Sequence, residues 1–170
     1  LYVVTWEEER ALAEMFEVAT ALNKKVYHWT IVQGLARYRP ALEGVVEGKK
    51  GTKDPLVALR EVVATLEPAI FVFSDFHNFI SDSSVKRTLR DLATILRSTL
   101  STVVLLSPVL KIPEELEKDM TIVDFPLPGR LQLEALLEQI ARDIADNPSL
   151  SIDLSEESRD AMVSAAVGLT

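Results

Sequence analysis

Short β-branched runs recur along this chain, and between them lie stretches whose apolar residues fall at helical spacing. That alternation is the signature of stacked βαβ units around a parallel sheet, and few other folds accommodate it. The first strand is predicted over residues 2–4. Thr5 then reads as a helix N-cap, with Glu8 three residues on completing a capping box. Leu12, Met15, Phe16, Ala19 and Leu22 follow at helical spacing. A second strand is expected over 26–31 and a third over 69–73, where Ala69-Ile70-Phe71-Val72-Phe73 is apolar throughout, as suits a central strand covered on both sides. The fourth and fifth fall at 102–106 and 121–125. Asp54-Pro55 marks a helix start, Asp as cap and Pro in the first turn, with Leu56, Leu59, Val62, Val63 and Leu66 as its apolar face. A further helix after Ser81-Asp82 carries Val85, Leu89, Leu92 and Leu96.

The stretch 33–53 holds four glycines and no clear element, so it reads as a long surface loop. Pro126-Leu127-Pro128-Gly129 breaks the pattern again. Two helices are expected beyond it, one with Leu133, Leu136, Leu137, Ile140 and Ile144, the other over 155–167. The expected organisation is therefore a core over 1–128 and a partial helical lid over 129–170.

Composition narrows the classes of function. The 170 residues are 48% apolar, enough for a sizeable core. The net charge of −8 disfavours a general nucleic-acid or anionic-membrane surface. There is no cysteine, which removes thiol chemistry, disulfides and Cys-ligated metal. No apolar run reaches the roughly 20 residues that span a bilayer. The chain opens without Met inside the run Leu1-Tyr2-Val3-Val4, and it reads as a piece of something longer.

In open α/β sheets chemistry sits at the carboxyl ends of the strands. After the first strand a nucleotide hydrolase needs a glycine-rich turn whose backbone amides wrap phosphates, and a lysine. This chain has Thr5-Trp6-Glu7-Glu8-Glu9-Arg10 there: no glycine, a bulky indole, and three carboxylates that repel phosphate. The run Gly44-Val45-Val46-Glu47-Gly48-Lys49-Lys50 imitates a phosphate loop, but it is one residue short between the glycines and puts Lys50 where a magnesium-binding hydroxyl belongs. Asp75, after the third strand, stands where magnesium is commonly held. The next position, which should be a glutamate orienting the attacking water, is Phe76. Asp75 is expected to cap the following turn and His77 to bond locally, although a histidine titrates in the range of a base. Ser107 reads as a turn former before Pro108, and His28 as a structural residue within its strand. Two histidines without cysteine give no metal-site spacing.

These segments together resemble a known family. Tyr2-Val3-Val4-Thr5-Trp6-Glu7-Glu8-Glu9-Arg10, Val26-Tyr27-His28-Trp29-Thr30, Phe71-Val72-Phe73-Ser74-Asp75-Phe76-His77 and Val104-Leu105-Leu106-Ser107-Pro108 carry the likeness. Ile112-Pro113-Glu114-Glu115-Leu116-Glu117-Lys118 and Val123-Asp124-Phe125-Pro126-Leu127-Pro128 extend it. In this order they resemble the amino-terminal half of the CfxQ-like AAA-type ATPases of cyanobacteria and algal chloroplasts. The resemblance implies a degenerate AAA (P-loop NTPase-like) module: a five-stranded parallel sheet sandwiched by helices, with a truncated helical lid. It implies a second module that carries the phosphate loop and uses ATP and magnesium. It also implies a place in the cytoplasm or chloroplast stroma and a general link to photosynthesis or inorganic-carbon use.

The function expected is a non-catalytic assembly, regulatory or partner-binding domain, with no catalytic, cofactor or metal residue of its own. Its partners would be the companion module, further copies of the chain or another protein. Trp6, Glu7, Glu8, Asp75 and His77 are the expected contact patch at the carboxyl edge, where a large aromatic suits an anchor. Two alternatives stand beside this reading. One is a phosphoacceptor switch of the response-regulator type, using Glu7, Glu8, Asp75 and Ser107 but lacking the lysine after the fifth strand. The other is weak adenine-nucleotide binding without hydrolysis.

Overall fold

The computed structural model describes residues 1–40, 48–145 and 155–167, with the side chains of 143 and 145 excepted. The chain divides into two compact units, Leu1–Phe125 and Pro126–Thr170. The first contains β1 (Tyr2–Val4), α1 (Glu8–Ala21), β2 (Lys25–Thr30), β3 (Gly34–Arg37), α2 (Pro55–Ala64), β4 (Ala69–Ser74), α3 (Ser83–Leu96), β5 (Thr102–Ser107) and β6 (Ile122–Asp124). Single 3-10 turns at Phe76–Asn78 and Glu114–Leu116 interrupt the connections. The second unit has α4 (Arg130–Ala145) and α5 (Glu156–Val167), which pack on each other through ion pairs such as Arg159 to Glu138.

The sheet runs β3-β2-β4-β5-β1-β6 and is parallel except at one edge. From β1 the chain crosses to the far side, walks back through β4 and β5, then steps over β1 to form β6. The direction of travel reverses around β1, and in such sheets the crevice at the carboxyl ends of the strands beside a reversal is where ligands bind.

The alternation along β4 explains the two cores. Phe71 and Phe73 point to one face and join Trp29, Leu59, Val62, Val85, Leu89 and Leu105 beneath α2 and α3. Ile70 and Val72 point to the other and join Val26, Val104, Leu106, Ala11 and Leu12 beneath α1. A period of two on a strand covered on both sides gives this continuous apolar run. Asp54 caps α2 as its sequence suggests, its carboxylate accepting from the amides of Leu56 at 2.7 Å and Val57 at 3.2 Å. Asp82 does the same for α3.

Several expectations need correction. The sheet has six strands rather than five, because part of the predicted loop folds back as β3, antiparallel to β2. Gly34-Leu35-Ala36-Arg37 has no β-branched residue to announce it. Its strand is fixed by tertiary bonds: the Leu35 amide donates to Thr52 Oγ1 at 2.8 Å and its carbonyl accepts from Lys49 N at 2.9 Å. Gly34 is required at the turn into β3, since its φ is +77° and a Cβ there would lie 2.7 Å from Thr52 Oγ1. The apolar face drawn for α2 is also too long. The helix ends at Ala64, leaving Val63 half exposed and Leu66 almost fully exposed beyond it. Most of the phosphate-loop imitation, residues 44–47, lies outside the described residues.

Candidate functional site

The carboxyl edge of the sheet gathers the ends of β1, β4 and β5. Two backbone bonds fix them: Thr5 N donates to the Ser107 carbonyl at 3.0 Å, and Asp75 N to the Leu106 carbonyl at 2.9 Å. The capping box predicted at Thr5 does not form. Helix α1 starts at Glu8, Glu7 occupies the cap position without a side-chain capping bond to the backbone, and Thr5 Oγ1 accepts from Glu7 N at 3.0 Å instead. Glu8 is therefore the first helical residue, not the third, and its carboxylate is available to the sheet.

The carboxylate is used there. Ser74 Oγ lies 3.0 Å from Glu8 Oε1 and 2.8 Å from His28 Nε2, and His28 Nε2 is 3.5 Å from the same carboxylate oxygen. The register explains the meeting. His28 pairs with Val72 across the parallel β2–β4 ladder, and Ser74 is the next residue on that face. The first turn of α1 lies over the same face. Hydrogen bonding to His28, then to Ser74, holds the Glu8 carboxyl below the usual glutamate range against an opposing effect of burial. Ser74 donates to the Glu8 carboxylate and shares a hydrogen bond with the His28 ring. Ser74 thereby bridges the start of α1 and the middle of β2.

A second group lies on the opposite face. Ser107 Oγ is 2.7 Å from His77 Nδ1 and donates to the Val109 carbonyl at 3.0 Å. Asp75 stands 3.9 Å from His77 Nδ1 with its side chain largely exposed. Contrary to expectation, Asp75 does not cap the turn. It adopts a left-handed conformation at φ 55° and makes no side-chain cap bond. Aspartate tolerates that region better than most residues. His77 does bond nearby, to Ser107, which is thereby more than a turn former. Phe76 is fully buried, its ring against Trp29, Phe73 and Phe79.

The five residues of the expected patch thus share one edge of the sheet but not one cluster. Trp6 is 82% exposed. Glu7 is paired with Arg10 at 2.5 Å, and that guanidinium also reaches Glu14 at 3.0 Å and lies 4.0 Å over the Phe125 ring. Glu8 faces His28 and Ser74, while Asp75 and His77 lie with Ser107. The phosphoacceptor alternative requires Glu7, Glu8 and Asp75 to converge on a metal. Glu7 and Glu8 are each committed elsewhere, and among the described residues no three His, Asp or Glu side chains gather in such an arrangement.

Sequence reasoning missed Ser74 and Arg10 as members of the site. Ser74 carries a readable signal, a hydroxyl ending an otherwise apolar central strand. The partnership of Arg10 with Phe125 spans 115 positions and leaves no local trace.

The Glu8 bridge has a pH consequence. A carboxyl whose native pKa is depressed stabilises the fold above its unfolded value of about 4.3, and loses that contribution as pH falls through the lower native value. Urea unfolding of the wild type and Glu8→Gln, followed from neutral pH into the acid range, is expected to show the wild type losing more of its stability over that window. Parallel pH profiles would refute the assignment.

The fold defines a class: an open, mostly parallel α/β module of AAA-like architecture, with an acidic helix start at the carboxyl end of β1. The chain belongs to the SpoVK-like AAA ATPase, N-terminal domain family, which it matches over residues 1–125. It is 34% identical over its whole length to the AAA domain-containing protein ycf46 of Guillardia theta, covering 32% of that protein. Against the ycf46 proteins of Trieres chinensis and Gracilaria tenuistipitata var. liui it is 28% and 26% identical, over 91% and 82% of this chain and 30% and 28% of theirs. It therefore spans about a third of the length of these relatives. Among the described residues no helix is long and apolar enough to cross a membrane.

Proposed function

We propose that this chain is a non-catalytic module of a larger AAA-type ATPase, binding a companion module, a further copy or a protein partner through the carboxyl edge of its sheet. The observation that carries the reading is the state of the phosphate position. The start of α1, where a helix dipole and free amides would receive a triphosphate, presents Glu7 held by Arg10 and Glu8 held by Ser74 and His28. Chain carboxylates take the place of a ligand anion. Trp6, exposed beside them, supplies the large amphipathic surface that anchors interfaces. ATP and magnesium then belong to the companion module, and hydrolysis is a property of the whole protein. Its setting would be the cytoplasm or the chloroplast stroma, with work connected to photosynthesis or inorganic-carbon use.

Two measurements test this. Isothermal titration of the chain with ATP and magnesium is expected to show no binding tighter than the high-micromolar range; tighter binding overturns the negative half. Titration of the separately produced companion module is expected to show Trp6→Ala weakening association by about tenfold or more. The variant should keep the wild-type melting temperature, because the indole is 82% exposed. Equal affinity for wild type and Trp6→Ala removes the carboxyl edge from the interface.

A further inference from the structure

At the opposite end of the sheet, where β2 begins and β3 ends, charge is distributed against the trend of the chain. A surface groove there is lined by Lys24, Lys25, Arg37 and Arg39, with Glu67 as its one carboxylate. Four cations face one anion in a protein whose net charge is −8. Topology makes the concentration. Lys24 and Lys25 lie at the turn from α1 into β2, and Arg37 is brought beside them because β3 returns antiparallel, pairing Arg37 with Tyr27. The Tyr38 amide continues the ladder to the Val26 carbonyl at 2.9 Å, which carries Arg39 to the same place.

Glu67 does not neutralise the groove. Its carboxylate is bonded by Lys25 and by the Tyr27 hydroxyl, and Arg37 adds only a through-space attraction. Among the described residues no salt bridge engages Lys24, Arg37 or Arg39, and both arginines are exposed. Fixed cations without counter-charges lining one concavity form an anion-receiving surface, and arginine forks suit carboxylates in particular.

We infer that this groove binds an acidic peptide segment of a partner protein, its carboxylates received by Arg37, Arg39 and Lys24. The proposal lies apart from the carboxyl edge and stands independently of the function given above. A peptide is favoured over a nucleic-acid strand on two grounds. A continuous phosphate backbone would have to pass the Glu67 carboxylate, whereas a peptide can space its acids around it. The aromatic rings present are also engaged with one another. Phe16 packs edge-to-face on Tyr38 at 5.9 Å, and Tyr38 on His28 at 6.3 Å, so they do not form an open stacking platform for bases.

Fluorescence anisotropy with a labelled glutamate-rich peptide tests this at near-physiological salt, where screening beyond about 8 Å removes non-specific attraction. The peptide is expected to bind, and Arg37→Glu with Arg39→Glu to weaken it by about tenfold or more. Lys111→Glu, an exposed charge reversal elsewhere on the unit, is expected to bind as the wild type does. Circular dichroism of the double variant should be unchanged, since both arginines are exposed. Absence of peptide binding, or undiminished binding by the double variant, overturns the proposal. So does a single-stranded oligonucleotide that displaces the peptide and depends on the same two arginines, which would make the groove a nucleic-acid site. Complete displacement by inorganic phosphate would make it a small-anion site and would overturn the proposal equally.

Discussion

Phe76→Glu is expected to unfold this domain rather than restore a hydrolase. The position follows Asp75 at the end of β4, where a glutamate would orient attacking water, and the substitution looks like a one-residue repair. The phenylalanine is fully buried, however, with ring centroids 5.4 Å from Trp29, 5.3 Å from Phe73 and 6.0 Å from Phe79. Removing the ring alone costs roughly 3–5 kcal/mol in such a site. A carboxyl in its place is buried without a partner, ionised or protonated, and the total rises to about 5 kcal/mol or more. That is comparable with the whole stability of a domain, about 5–15 kcal/mol. Urea denaturation should show no folded baseline, or a midpoint far below wild type, whereas Phe76→Leu should lose only about 1–2 kcal/mol. A Phe76→Glu protein that melts like the wild type would show that this position is not part of the core. Position 76 is part of the hydrophobic packing, and a carboxylate there disrupts that packing.

Trp29→Ala is the second large effect. Trp29 is fully buried and packs on Phe73, Phe76 and Phe79, while its indole N–H donates to the Thr52 carbonyl at 2.5 Å. Thr52, itself fully buried, accepts from the Leu35 amide and donates to the Lys49 carbonyl at 2.5 Å. One aromatic therefore serves the core and also positions the threonine that holds β3 in the sheet. Truncation should cost about 3–5 kcal/mol and, in hydrogen exchange, reduce protection of the Leu35 amide. Trp29→Phe keeps an aromatic ring but loses part of the volume and the donor to Thr52, and is expected to fall between wild type and Trp29→Ala. Unchanged Leu35 protection in Trp29→Ala would show that the threonine holds β3 without help from the indole.

Much of this architecture is legible from local pattern. The run Ala69-Ile70-Phe71-Val72-Phe73 cannot be satisfied except between two apolar layers, and it became the central strand that splits the core. Asp54-Pro55 states its helix start in residue chemistry and caps as expected, and the helix expected after Ser81-Asp82 forms there, with Asp82 as its cap. The acidic, glycine-free segment after β1 excludes a phosphate loop by composition alone. The failures are equally particular. Glu8 matches a capping-box spacing, but the register depends on where the strand releases the chain, and the helix begins two residues later than a cap at Thr5 requires. The strand β3 has no strand-like composition and exists because Thr52 and Lys49 bond its outer edge. The residue type of Asp75 suggests a cap, yet the turn holds it in a left-handed conformation with its side chain turned to solvent.

Sequence by itself determined the class of fold, the order and approximate limits of the main elements, and the acidic, glycine-free character of the β1–α1 turn. These follow from periodicity, residue type and local charge, all properties of neighbours along the chain. The tertiary structure alone decided which side chains meet. The bridge from Glu8 through Ser74 to His28 joins residues up to 66 positions apart, and the basic groove joins the end of α1 to the end of an unannounced strand. Such meetings depend on strand order and register, which are set by how whole layers pack, and no local stretch of sequence contains that information.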